Sequence, residues 1–306
     1  MADPRLTSNF RDVVAEINRS VSSCLKANGP AVLTAPPNAV ATICEITKSL
    51  MNKEHQCQFD PAEGDEGNEL EGQENSESEW VVIDTAMDNI SGLAAALGPQ
   101  FGTEIWPQFE KSVYKYCSSS QKNERAAATG CLAEIIKGAG PGVSKSTDRM
   151  MTILLKRMSD EDWQCRSNAA YAIGILCEKS TDKKTVLSKF GSIFQKLQQM
   201  FGHREKRAND NAAGCLARMI MSHMEHVPLE SVIPTFVESL PMNDDIEENP
   251  PVWKCLRGLY QSGNETLIGL SKELAEKMRA IKSGGLTDET KEDVTKLAEM
   301  IQQRLA

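Results

Sequence analysis

The groups in this 306-residue chain that could do chemistry are few and scattered. Histidines stand at 55, 203, 223 and 226. His223 and His226 lie one helical turn apart, which is half of a metal site. No Asp, Cys or further His stands at a supporting spacing, so neither a metal nor another cofactor is expected. "HQC" at His55 to Cys57 is a lone pair beside an acidic segment and reads as coincidence. "GAGPGV" (Gly138 to Val143) lacks the Lys-Ser/Thr of a phosphate loop and follows a helical pattern instead of a strand. No nucleophile meets a base, so no catalytic residue is named and an enzyme is not expected.

What remains is a set of acids, amides and rings that recurs at helix starts. "QKNE" supplies Asn123 and Glu124, and "SDEDWQ" supplies Asp160, Glu161, Asp162 and Trp163, followed by Asn168 and Tyr171. "NDN" supplies Asn209, Asp210 and Asn211, and "NDDIEENPPVW" supplies Asp244, Asp245, Glu247, Glu248 and Trp253. Acids beside a Trp pair Lys or Arg while the ring packs on the aliphatic stem or the cation. An Asn both donates and accepts, and stacked asparagines hold the backbone of an extended peptide without choosing its sequence. Each residue also has a plainer use. Carboxylates at helix starts cap free N–H groups, for about 0.3 to 1 kcal/mol each, and repeated asparagines bond one repeat to the next. Four acids within Asp244 to Glu248 exceed what capping one helix needs.

The elements that position these residues are helices. Apolar residues recur at i, i+3, i+4, i+7 and i+8 from Ala128, Ala169, Ala212 and Val252, and from Ala86 with Asn89 as the exception. The matching stretches include "NAAYAIGILC" (Asn168 to Cys177) and "NAAGCLARMI" (Asn211 to Ile220). Their starts lie about 40 to 43 residues apart, the period of a two-helix HEAT or armadillo unit. A second signature, Pro two residues before Phe, recurs in "IWPQF" and "VIPTF". The expected fold is all-α, an alpha-alpha superhelix or right-handed solenoid of antiparallel helix pairs. It is expected to run over 1–306 as half a repeat plus about six pairs, and the odd helix count marks it as an expected C-terminal piece of something longer. Helices are expected over 5–27, 36–54, 80–97, 100–117, 122–138, 144–158, 161–178, 183–201, 204–223, 229–240, 247–262, 265–282 and 288–305.

The net charge of -9 is local. Residues 60 to 79 hold nine acids and no Lys or Arg, leaving 34 basic and 34 acidic residues elsewhere. This acidic insertion, 58–79, is too polar to bury a face and is expected to be disordered. A neutral body with an acidic insert disfavours nucleic acid, which needs a basic stripe, and fits a basic protein partner. No run of about 18 apolar residues suggests a membrane span, and no signal-peptide layout opens the chain. The nine cysteines contain no C-x-x-C and sit mostly at apolar helical positions, as small buried hydrophobes.

The phrases "VVIDTAMDNISGLAAALGPQF", "RAAATGCLAEIIKGAG", "RSNAAYAIGILCEKS" and "NAAGCLARMI", with the acidic insertion splitting one pair, resemble the C-terminal HEAT repeats of the importin-beta (karyopherin) family. The insertion followed by "DNISGLAAALGPQFG" favours its importin-four branch. The resemblance implies nuclear import, in cytoplasm and nucleus, of basic cargo such as core histones, through their tails, or ribosomal proteins. It implies release by the GTPase Ran, bound mainly through N-terminal repeats absent here, and nucleoporins as further partners. A monomer is expected. Carried over by position, the groups around 160–168, 209–211 and 244–253 become candidates for holding a Lys/Arg-rich tail on the concave face. The competing reading is a non-transport HEAT scaffold, of phosphatase-assembly or tubulin-binding type, that organises folded partners through its turns.

Overall fold

The computed structural model describes residues 4–34, 37–59, 69–202, 204–281 and 286–305. The amphipathic period becomes helices throughout, and no strand forms among the described residues. The architecture is all-α, of the HEAT/armadillo repeat type. Packing divides it into two compact units, Met1–Ser146 and Thr147–Ala306.

The first unit contains α1 (Pro4–Asn28), α2 (Ala39–Met51), α3 (Glu69–Leu97), α4 (Trp106–Cys117) and α5 (Lys122–Ala139). The second helices of the pairs lie side by side, α1 on α3 and α3 on α5, while α2 backs α3 and α4 backs α5. The apolar stripe drives this stacking: Ala86, Ile90, Leu93 and Ala94 of α3 and Ala128, Leu132, Ile135 and Ile136 of α5 are fully buried. Asn89, the exception in that stripe, is buried too. Its amide donates to Asn18 Oδ1 of α1 at 2.9 Å, and Asn18 donates to Thr85 Oγ1 at 3.2 Å. A polar rung thus replaces an apolar contact between α1 and α3.

The helix expected from residue 80 begins at Glu69. The 69–79 stretch of the acidic insertion is therefore helical and not without structure. Glu is a good helix former, and acids near a helix start suit its positive end. The earlier part of the insertion, 60–68, lies outside the described residues.

The second unit contains α6 (Thr147–Arg157), α7 (Trp163–Lys179), α8 (Lys183–Ser188), α9 (Phe190–Met200), α10 (Lys206–His223), α11 (Leu229–Glu238), α12 (Asn249–Gln261), α13 (Glu265–Gly269), α14 (Ser271–Arg279) and α15 (Asp288–Leu305). Here α7, α10, α12 and α15 form the row, with α6 behind α7, α9 behind α10 and α14 behind α15. Two helices expected to be continuous are broken. The 183–201 helix tightens at Lys189, whose N–H bonds the Val186 carbonyl at 3.1 Å. The 265–282 helix breaks after Gly269, where the Ser271 hydroxyl bonds the Ile268 carbonyl at 2.6 Å and lies 2.9 Å from the Tyr260 hydroxyl.

Gly174 explains one letter of "NAAYAIGILC". A Cβ built there would lie 2.8 Å from Cys215 Cα, so α7 and α10 approach to a distance that only glycine permits. Eight cysteines are buried and unbridged, and Cys24 is exposed. Burial pushes the Cys131 and Cys177 thiols up to about 12, which keeps them protonated fillers of the core.

Candidate functional site

The candidate residues of the second unit stand at the starts of α7, α10 and α12, and the structure divides them by depth. Asp162 caps α7, accepting from the Cys165 N–H at 2.9 Å. Asp160 is buried and accepts from Arg157 Nη1 at 2.5 Å and from the Asp162 N–H at 3.1 Å. Arg166 Nη1 donates to the Asp160 and Glu161 carbonyls at 2.7 and 2.9 Å, tying the loop to the helix it precedes. The Glu161 side chain is exposed, and Trp163, Asn168 and Tyr171 are half-buried.

At the start of α10 the three "NDN" residues are mostly turned inward. Asn209 is half-buried, with its Oδ1 accepting from the Gly202 N–H at 3.2 Å. Asp210 is 2% exposed, and its Oδ2 accepts from the Asp244 and Asp245 N–H groups at 2.9 and 2.8 Å. Asn211, also buried, has Nδ2 at 2.8 Å from Asp245 Oδ2 and 3.0 Å from Ser167 Oγ. The Asn211 amide therefore bonds one repeat to the next, from α7 through α10 to the connector before α12. Arg207 Nε reaches the same Asp245 oxygen at 3.1 Å.

Two residues of the "NDDIEENPPVW" run are structural, contrary to the expectation that they meet a partner. Glu248 is 1% exposed and holds Arg218 in a two-pronged pair, Nη1 to Oε2 at 2.6 Å and Nη2 to Oε1 at 3.1 Å. A Cβ on Gly214 would fall 1.3 Å from Glu248 Oε2, so the glycine of "NAAGCL" vacates the space that this carboxylate fills. Burial pushes the Glu248 carboxyl upward, and Arg218 beside it pulls back. The Arg218 guanidinium sits 5.2 Å from the centre of the Tyr171 ring. Trp253 is fully buried and donates to Asn249 Oδ1 at 2.9 Å, so its ring cannot cover an incoming cation. Asp245, with 13% of its side chain exposed, is held by Asn211 and Arg207, whereas Asp244 and Glu247 are exposed.

Asn123 and Glu124 belong to the first unit, at the start of α5. Asn123 is exposed, and Glu124 accepts from the Ser119 hydroxyl. The histidines of interest separate. His223 is buried at the end of α10 with Nε2 3.0 Å from the Cys177 carbonyl, and His226 is exposed on the following turn. His55 Nδ1 accepts from the Cys57 N–H at 3.3 Å in a local helix cap.

Sequence reasoning missed a basic series. Arg125, Arg166 and Arg207 recur at a spacing of 41 in the first turns of α5, α7 and α10. Arg125 Nη1 bonds the Ser119 and Ser120 carbonyls at 3.1 and 2.8 Å, as Arg166 bonds its own preceding loop, while Arg207 turns to Asp245. The spacing was available in the chain, but these residues lie outside the apolar stripe that defined the repeat.

Near the α7, α10 and α12 starts the second unit thus exposes Glu161, Asp244 and Glu247 over a backbone fastened by Asp160, Asp210, Asn211 and Glu248. Among the described residues no group of three or more His, Cys, Asp and Glu is arranged to hold a metal ion, and no helix is long and apolar enough to cross a membrane.

Rows of helix pairs whose second helices are fastened edge to edge in this way define a HEAT-type repeat protein. The family model described as "IPO5-like, TPR repeats" matches residues 82–237, and the chain belongs to that family, of importin-beta (karyopherin) type. It is 30% identical over 268 residues to the probable importin subunit beta-4 of Schizosaccharomyces pombe, an alignment taking in 85% of this chain and 25% of that protein. Importin-4 of Homo sapiens is 28% identical over 270 residues, 86% of this chain and 24% of that protein. The karyopherin Kap121p, solved bound to the SUMO protease Ulp1p, matches the fold with a TM-score of 0.64 at 10% identity, over 96% of this chain and 28% of that one. The chain spans about a quarter of the length of the curated relatives it matches.

Proposed function

We propose that this chain is a repeat segment of a nuclear import receptor, working between cytoplasm and nucleus, that holds a basic, extended localisation segment of a protein cargo. Core histone tails and ribosomal proteins are the cargo class. The supporting observation is the set of outward carboxylates, Glu161, Asp244 and Glu247, near the starts of second helices that lie side by side. Their backbone is held by buried polar bonds, so little ordering is left to do when a ligand arrives. An extended Lys/Arg-rich segment presents cations at intervals along such a face, and the half-buried Trp163 and Tyr171 offer rings for their aliphatic stems. Family membership favours this reading over a passive scaffold, and Kap121p, of the same fold, was itself solved with another protein bound.

Zero-length crosslinking of a lysine-rich histone tail peptide to the chain tests the reading. Crosslinks are expected at Glu161, Asp244 and Glu247. Crosslinks confined to the turns away from the α7, α10 and α12 starts would favour the scaffold instead.

A further inference from the structure

Ser159 opens "SDED", and it is the one Ser or Thr in the chain followed by acids at each of the next three positions, Asp160, Glu161 and Asp162. Acids just after a hydroxyl are what an acidophilic protein kinase reads, because its substrate groove is lined with Lys and Arg. The fold keeps this hydroxyl outside. Ser159 is exposed in the turn that ends α6, with its N–H on the Lys156 carbonyl at 3.2 Å. Its Oγ accepts from Lys196 Nζ of α9 at 2.5 Å. The three acids divide. Asp160 is turned inward to Arg157, and Asp162 gives Oδ2 to the Cys165 N–H at 2.9 Å, while the Glu161 carboxylate is exposed. Folding therefore pins the turn from below and leaves the hydroxyl and Glu161 facing solvent.

The surroundings suit a phosphate better than the hydroxyl. A neutral hydroxyl meets the Lys196 ammonium through a lone pair only. A phosphoserine carries nearly two negative charges at about pH 7 and three acceptor oxygens, so the same ammonium meets it in a charge-assisted bond. Lys156, exposed and three residues before Ser159, adds a second cation.

We propose that Ser159 is a phosphorylation site for an acidophilic Ser/Thr kinase, and that Lys196 holds the phosphate, latching the α6–α7 connector to α9. In the step, Ser159 Oγ attacks the γ-phosphorus of ATP and its proton passes to the base of the kinase. The bond from that phosphorus to the β,γ-bridging oxygen breaks, and ADP leaves. The phosphate stands two residues before Glu161 and takes up the charge of Lys196, so the neighbouring face becomes more negative. That consequence rests on the proposed basic-segment reading, whereas the modification itself does not.

The test incubates the folded chain with a purified acidophilic casein kinase and ATP and maps the modified residues by mass spectrometry. Phosphate is expected on Ser159, with slower incorporation there in Glu161→Gln. Phosphorus NMR then follows the second ionisation of the phosphate, ordinarily near about pH 6. Lys196 is expected to hold it lower, and Lys196→Ala to return it toward that value. No phosphate on Ser159, or phosphate only after denaturation, overturns the site. An ionisation unmoved by Lys196→Ala overturns the latch. Affinity for a lysine-rich histone tail peptide at low salt is expected to rise severalfold on phosphorylation. Unchanged affinity, where the unmodified chain binds, overturns the effect on the face. Failure of the unmodified chain to bind the peptide overturns the face itself, while the mapping still decides Ser159.

Discussion

Arg218 of α10 and Glu248 of the connector before α12 meet in a two-pronged ion pair, with 9% and 1% of their side chains exposed. The pair closes over Gly214, and Arg218 continues to the Tyr171 ring on α7, so one charged contact fastens three successive second-helix positions. A buried pair is a poor source of net stability compared with apolar packing, yet losing one partner strands the other.

Glu248→Ala is accordingly expected to destabilise the second unit by about 3 kcal/mol, because buried Arg218 then keeps only the exposed Glu178 carboxylate, 3.9 Å from its Nε. Urea unfolding followed by circular dichroism measures this. A change below about 0.5 kcal/mol, the range of ordinary surface substitutions, would show that Arg218 finds another partner.

Asp210 gives stability a pH slope. Burial, reinforced by Asp244 and Asp245, outweighs the two N–H groups it accepts and raises its carboxyl to about 6. An unfolded aspartate titrates near 3.9. Between about pH 4 and 6 the native chain holds this proton more tightly than the unfolded chain, so the contribution is full below that window and is lost as pH rises through it. Asp210→Asn removes the titration, and its stability relative to wild type is expected to improve from pH 4.5 to pH 7. Parallel pH profiles for the two proteins would contradict the assignment.

Close approach of α7 and α10 predicts opposite signs for two glycine-to-alanine changes. Gly174→Ala places its methyl 2.8 Å from Cys215 Cα and is expected to cost about 1 to 3 kcal/mol. Gly258→Ala, inside α12 with nothing within 4 Å of the new Cβ, is expected to stabilise by about 0.5 to 1 kcal/mol. Denaturation midpoints of the two variants decide this, and the same sign for both would contradict it.

The repeat was legible because burial leaves a period in the sequence. Ala169, Ala172, Ile173, Leu176 and Cys177 are all buried, as their spacing requires. Asn89 shows where the period gives way, since a polar rung to Asn18 serves the same interface. The edge of the stripe was less legible. "NDDIEENPPVW" has no helical period until α12 begins, so the sequence could not say which acid turns in. The short turn Ile246–Glu248 leaves Ile246 half exposed and buries Glu248, the reverse of the hydropathy order. Asn168 and Asn211 share a register, but only Asn211 lies fully buried between Ser167 and Asp245. The helix breaks at Lys189 and after Gly269 depend on local bonds that leave no gap in the apolar pattern.

Asn211→Ala is expected to lower stability by about 1 to 2 kcal/mol, because Asp245 loses a buried donor. Affinity for a basic peptide should change little in the folded fraction. Thermal unfolding and peptide titration on the same preparation separate the two effects. A large affinity loss with unchanged stability would make Asn211 a ligand contact instead of a rung.

The most direct measurement of the central claim is the affinity of a Lys/Arg-rich histone tail peptide for wild type and for the charge-reversed Glu161→Lys, Asp244→Lys, Glu247→Lys variant, at low and high salt. All three side chains are exposed, so folding should be unaffected. Wild-type binding should weaken with salt, and reversal should cost at least about tenfold at low salt with most of the salt dependence lost. Equal affinities for the two proteins across the salt range would contradict the account.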